Sequence, residues 1–157
     1  MEANSSRCIA TVDRNGVPYN VRLKRVREAV AKQPQKMAAL VGLSIAEYYD
    51  WENCGAELSM VASLAELSRL ATVLGIRTRR IFEDDLEPER SISFKLLCAK
   101  IKEHLIARNM SVAAFEHQVG FEIAPALCDS SEIFKWNVDC LRFVCQEIAV
   151  DWLAALP

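Results

Sequence analysis

Gly42 and Gly120 stand 78 residues apart, and the chain around each follows one helical plan. A repeated plan constrains the fold strongly, because one packing solution must serve twice. Helix openings at Gln33-Pro34 and Ser111-Val112 lie at the same distance before the two glycines. Met37-Ala38 pairs with Phe115-Glu116 at the same offset. Farther along the offset falls to 74: Ser63 pairs with Asn137, Leu67 with Leu141, Leu74 with Ile148 and Phe82 with Leu156. The first half therefore carries four more residues between its third and fourth helices. The match is one of pattern and spacing, with little identity.

The pattern itself is helical. Apolar residues recur every three or four positions at Leu23, Val26 and Val30, at Leu64, Leu67, Leu70 and Leu74, and at Leu97, Ile101 and Leu105. Pro34 suits the first turn of a helix, where its missing N–H is not needed, and Gly42 ends that helix. Ser44 opens the next, to about Asn53. Ser63-Leu64-Ala65-Glu66 is a capping box, so a helix follows from Leu64 to about Gly75. A short helix around Thr78–Phe82 completes the half. In the second half, Ser111 caps a helix that stops at Gly120, Glu122–Cys128 is a third helix with Pro125 inside it, and Asn137 caps another. Met37, Leu40, Tyr48 and Trp51 are expected to bury one face against Leu67 and Leu70. The start differs: Cys8–Val12 has β character, Asn15-Gly16 is a turn signal, and Pro18 demotes a second strand to an edge. This segment is either a hairpin or an extended arm. The expected fold is all-α, with two tandem five-helix units. Residues 1–20 form the arm, 21–82 the first unit, 83–91 an acidic linker and 92–157 the second unit.

Composition excludes several classes. Hydrophobic residues at 52% and charged residues at 25% make a globular chain. No apolar run approaches membrane length, and residues 1–10 lack the apolar core of a secretion signal, so no membrane partner is expected. The six cysteines contain no C-x-x-C and no Cys/His cluster, so reduced thiols in the cytoplasm are expected, with no bound metal. No phosphate loop, nucleophile elbow, metal motif or paired carboxylates are present, so neither a catalytic residue nor a cofactor is expected.

The first half resembles the lambda-repressor-like, Cro-type (XRE) helix-turn-helix family. The residues that carry this are Met37-Ala38, the turn at Gly42, Leu43-Ser44, then Tyr48 and Trp51-Glu52. Leu67 through Ile76 reads as the family's Leu-x-x-Leu-Ala-x-x-Leu-Gly-apolar fourth helix, and Val150-Asp151-Trp152-Leu153 looks like its terminal helix. The likeness covers residues 21–82 well and 94–157 as a degenerate second copy. It implies that helix 44–53 lies in the major groove of double-stranded DNA and that the helix before it opens against a phosphate. The implied DNA-binding residues are Gln35, Lys36, Ser44, Ala46, Glu47, Tyr49, Asp50 and Asn53, with Arg25 on the first helix.

Charge points another way. Residues 1–36 carry a net +5 and residues 37–90 a net −5. Helix 44–53 has no basic residue and adds Glu47, Asp50 and Glu52, although groove readers usually present Arg, Lys, Asn or Gln. Phosphate neutralisation supplies most of the affinity for DNA, and acids there oppose it. The basic residues Arg22, Lys24, Arg25 and Arg27 sit on the first helix, as a solvated face or as backbone contacts. Two functions follow. One is a DNA-binding transcriptional regulator of the Cro type. The alternative is a protein-interaction module, antitoxin-like, immunity-like or a regulator's partner, whose acidic, Tyr-bearing face binds a basic protein. A homodimer is compatible with both.

Overall fold

The computed structural model describes residues 11–84 and 91–157. Among them the regular elements are helices, and no strand is present. In chain order they are α1 (Tyr19–Ala29), α2 (Pro34–Val41), α3 (Ile45–Asn53), α4 (Gly55–Met60), α5 (Leu64–Leu74), a 3-10 turn at Thr78–Ile81, α6 (Phe94–Ala107), α7 (Val112–Val119), α8 (Ala124–Cys128), a 3-10 turn at Ser130–Lys135, α9 (Val138–Glu147) and a last 3-10 turn at Leu153–Ala155.

Local chemistry sets these boundaries. Pro34 occupies the first turn of α2, and Gly42 ends it at φ +83° with its N–H on the Ala38 carbonyl. A side chain there would be strained, since that region favours glycine. Only two residues later Ser44 starts α3 as a capping box, its hydroxyl accepting from Glu47 N while the Glu47 carboxylate accepts from Ser44 N at 2.8 Å. Ser63 and Glu66 repeat this arrangement at α5. Each cap contributes about 1 kcal/mol.

Helix faces then close on one another. α5 buries Leu64, Leu67, Leu70, Ala71 and Leu74 on one side, each leucine contributing about 1.5–3 kcal/mol. α2 packs on α3 and α5, and α1 packs on α3, α4 and the 78–81 turn. In the second half α6 packs on α8 and the 130–135 turn, and α7 packs on α9. The buried residues of both halves form one continuous cluster. The halves meet where α4 contacts α9 and where α5 contacts the 130–135 turn. There Ser63 and Asn137 form an isolated antiparallel bridge. Leu64 N donates to Trp136 O at 2.8 Å, and Asn137 Nδ2 donates to Met60 O at 2.7 Å.

Several expectations need correcting. Leu40 is 49% exposed and takes no part in the core. The third helix of the second half runs Ala124–Cys128, shorter than Glu122–Cys128, which leaves Pro125 in its first turn, where proline is tolerated. Its free N–H groups are capped from α7, where the Glu116 carboxylate accepts from Ile123 N and Ala124 N at 2.8 and 2.9 Å. α4 was not anticipated; its six residues lie between the helix at Ile45–Asn53 and the one at Leu64–Leu74, and it lacks a side-chain cap that would have marked it. α1 starts at Tyr19, inside the expected arm, because Tyr19 is buried. Before it Val12 and Pro18 form a single bridge across a turn, and Cys8–Ala10 lie outside the described residues. Glu83 of the expected linker is buried against Arg14, and Asp84 accepts from Arg22; residues 85–90 lie outside the described residues.

Asp139, in the first turn of α9 at the junction, is 6% exposed, and neither carboxylate oxygen has a hydrogen-bond partner. Arg142 Nη1 is 3.7 Å away, and the Ser59 hydroxyl close by donates to Ala56 O. Burial raises the carboxyl above its ordinary value, more than Arg142 and Ser59 lower it. A raised folded value means that stability is greatest below the unfolded value and is lost as pH climbs through the folded one. Asp139→Asn should therefore stabilise the protein at pH 7 by about 1–2 kcal/mol and flatten its stability above pH ~4. Urea unfolding at pH 4 to 7 checks this; an equal shift at every pH would show that the carboxylate carries no such cost.

Candidate interaction surface on α2 and α3

Residues 37–68 contain no Lys or Arg and five acids. α3 sits in the middle of this stretch and buries Tyr48, Trp51 and Glu52. Its other side is left to solvent. All nine residues expected at the site are exposed: Gln35 and Lys36 on α2, Ser44 at the cap, Ala46, Glu47, Tyr49, Asp50 and Asn53 on α3, and Arg25 on α1.

The structure joins some of these and leaves others apart. Gln35 Nε2 donates to Tyr49 Oη at 3.2 Å, which ties the start of α2 to the middle of α3. Ser44 and Glu47 meet in the capping box, and those hydrogen bonds hold the Glu47 carboxyl below its usual value. Glu47 therefore has a local structural role as well as a surface charge, which the sequence reading did not assign to it. Arg25 makes no ion pair or hydrogen bond with the α2–α3 residues. Leu40 and Ile45, at 49% and 50% exposure, flank the turn at Gly42 and give the face an apolar edge that extends to Tyr49. Leu40 was missed because its helical spacing matched the buried positions.

The basic stretch of α1 is the largest revision. Arg22 and Arg27 are both 7% exposed and point inward. Arg27 spans Glu52 with two hydrogen bonds, one at 2.9 Å from Nη2, and reaches Lys32 O at 2.8 Å. Arg22 reaches Asp13 Oδ2 at 2.8 Å, Asp84 Oδ1 at 3.0 Å and Arg80 O at 3.2 Å. Neither is a solvated residue or a phosphate contact. Glu52, one of the three acids of α3, is the partner that consumes Arg27. Exposed cations around the face reduce to Lys24, Arg25, Lys36 and Arg69, the last with its guanidinium beside the Gly42 turn.

Among the described residues no cluster of three His, Cys, Asp or Glu could hold a metal ion, and Cys54, Cys98, Cys128, Cys140 and Cys145 are free thiols. Burial raises Cys98 and Cys140 and pushes Cys145 up to about 12, the opposite of what a nucleophile needs. No helix among the described residues is long and apolar enough to cross a membrane. No family model, curated protein or solved structure matches the chain.

Proposed function

We propose that the chain is a tandem pair of lambda-repressor-like helix-turn-helix units whose exposed α2–α3 face binds a basic protein surface. The tandem reading is supported by backbone conformation. Positive φ falls at Ala31 and Asn109 and at Gly42 and Gly120, both 78 apart, and at Gly75 and Ala149, 74 apart. These are the two offsets of the sequence repeat. The helix-turn-helix reading is supported by the left-handed turn at Gly42 between α2 and α3. The observation that carries the function is the composition of the outward row of α3. Ile45, Ala46 and Tyr49 lie beside Glu47 and Asp50, and no cation lies on that helix. With Arg22 and Arg27 engaged internally, little remains on α1 to neutralise phosphates.

A second reading, a DNA-binding transcriptional regulator, is favoured by one specific observation. α3 is uncovered by the second half, with Gln35, Lys36 and Arg69 around it. Fluorescence anisotropy of a labelled duplex pool at low and physiological salt separates the two. The interaction reading expects no binding below about 10 μM protein even at low salt, and Asp50→Lys should raise whatever weak affinity exists. Tight binding that falls steeply with salt would overturn it in favour of the regulator.

A further inference from the structure

Beside α6 the second half leaves a furrow with an apolar floor and a lysine rim. Two grooves of about 790 and 420 Å³ meet at Lys102 and Leu127. Leu105, Met110, Val112 and Leu127 line the floor, and Ile106 stands beside it at 80% exposure. Lys95 and Lys102 form the rim and make no ion pair among the described residues. The one carboxylate lining the furrow, Asp129, already accepts from Ser131 N at 2.9 Å.

The furrow has a structural origin. On the tandem reading α8 stands where the first half has α3, and the residue α8 buries is Ala126, where α3 buries Tyr48, Trp51 and Glu52. α8 has five residues where α3 has nine. Two aromatic rings and a helical turn are missing, and the space between α6 and α8 stays open. In the first half the corresponding space beside α1 is filled by the Arg27 guanidinium, for which α6 substitutes Leu105.

The α2–α3 face is complementary to this furrow. It offers Leu40, Ile45 and Tyr49 as apolar contacts and Glu47 and Asp50 as acids. Residues 91–108, which include α6, carry four Lys or Arg and one Glu. We propose that the α2–α3 face of one copy docks into the α6–α8 furrow of a second copy, head to tail. This rests on the interaction reading above and names its basic partner. The two surfaces differ, so the contact is heterologous and repeats into a ring or an open chain. Opposite charges set its register and make it salt-sensitive.

Sedimentation equilibrium of the whole chain tests this. The weight-average mass should rise above that of the monomer between about 10 μM and 1 mM, the range of a small interface. Asp50→Lys and Lys102→Glu each change an exposed side chain, and each should weaken association about tenfold or more with the circular dichroism unchanged. Mixed, the two variants should associate again with the copies alternating, because the native pair forms in one direction and the reversed pair in the other. The double variant should associate again through the reversed pair. A chain that stays monomeric to 1 mM, association insensitive to both changes, or a mixture that fails to pair would each overturn the proposal. The duplex measurement judges the interaction reading separately, so the two can fail independently.

Discussion

Glu52→Ala is expected to lower the unfolding free energy by about 3–5 kcal/mol, the usual cost of removing one partner from a buried ion pair. The Arg27 side chain is 8% exposed and that of Glu52 4%, and two hydrogen bonds join them. Without the carboxylate, the guanidinium keeps Lys32 O and a 3.8 Å approach to Glu28, which is half exposed. That leaves a desolvated charge largely uncompensated. The loss is a large share of a total that for a domain is about 5–15 kcal/mol. Replacing both residues at once, Arg27→Met with Glu52→Leu, removes the charge together with its partner and should recover most of the loss. Urea unfolding of the two single variants and the double one at pH 7 measures this as a cycle. A cost below about 1 kcal/mol for Glu52→Ala would mean that water reaches the pair and that it behaves as a surface bridge. The pair also fixes the far end of α3 to α1. Its loss should therefore disturb the α2–α3 face while leaving the capping box at Ser44 intact.

How much of this was legible in the sequence depended on what each signal encodes. Caps are local, so Ser44, Ser63, Ser111 and Asn137 placed four helix starts from three or four residues apiece. Gly42 and Gly120 placed two ends because left-handed backbone has few tolerable residues. Exposure of the candidate site was legible for the same reason: once α3 and its buried stripe are fixed, the opposite side is fixed too. Ion pairs were not legible. Arg22 and Arg27 look like part of a basic face, since their partners Asp13, Asp84 and Glu52 lie 9 to 62 residues away. Long charged side chains follow no periodicity that separates inward from outward. Leu40 failed in the opposite sense. Its spacing suits the core, but Met37, Ala38 and Val41 are the residues of α2 that face the core, and Leu40 falls at the edge of that stripe. α4 went unseen because a six-residue helix without a side-chain cap gives neither period nor boundary.

Phe82→Ala is expected to cost about 3–5 kcal/mol and to do so across the whole molecule in one transition. The Phe82 ring is 1% exposed and stands edge-on to two others, Tyr19 of α1 at 5.0 Å and Trp152 near the last turn at 5.7 Å. Arg142 of α9 lies over Trp152 at 5.2 Å from its centroid. One side chain thus connects the first helix of the first half to the last 3-10 turn of the second. The junction at Ser63 and Asn137 and the bond from Leu64 N to Trp136 O at 2.8 Å add backbone links between the same halves. A continuous core leaves little area for either half to bury by itself, so neither should unfold alone. Tryptophan fluorescence reports Trp51 in the first half and Trp136 and Trp152 in the second, while far-UV dichroism reports all the helices. Coincident transitions in urea, both displaced by Phe82→Ala, are the expected result. Two separate transitions, with the variant moving only one of them, would mean that the halves are independent domains. The furrow beside α6 would then belong to a unit that folds without α3, and its shape would owe nothing to the first half.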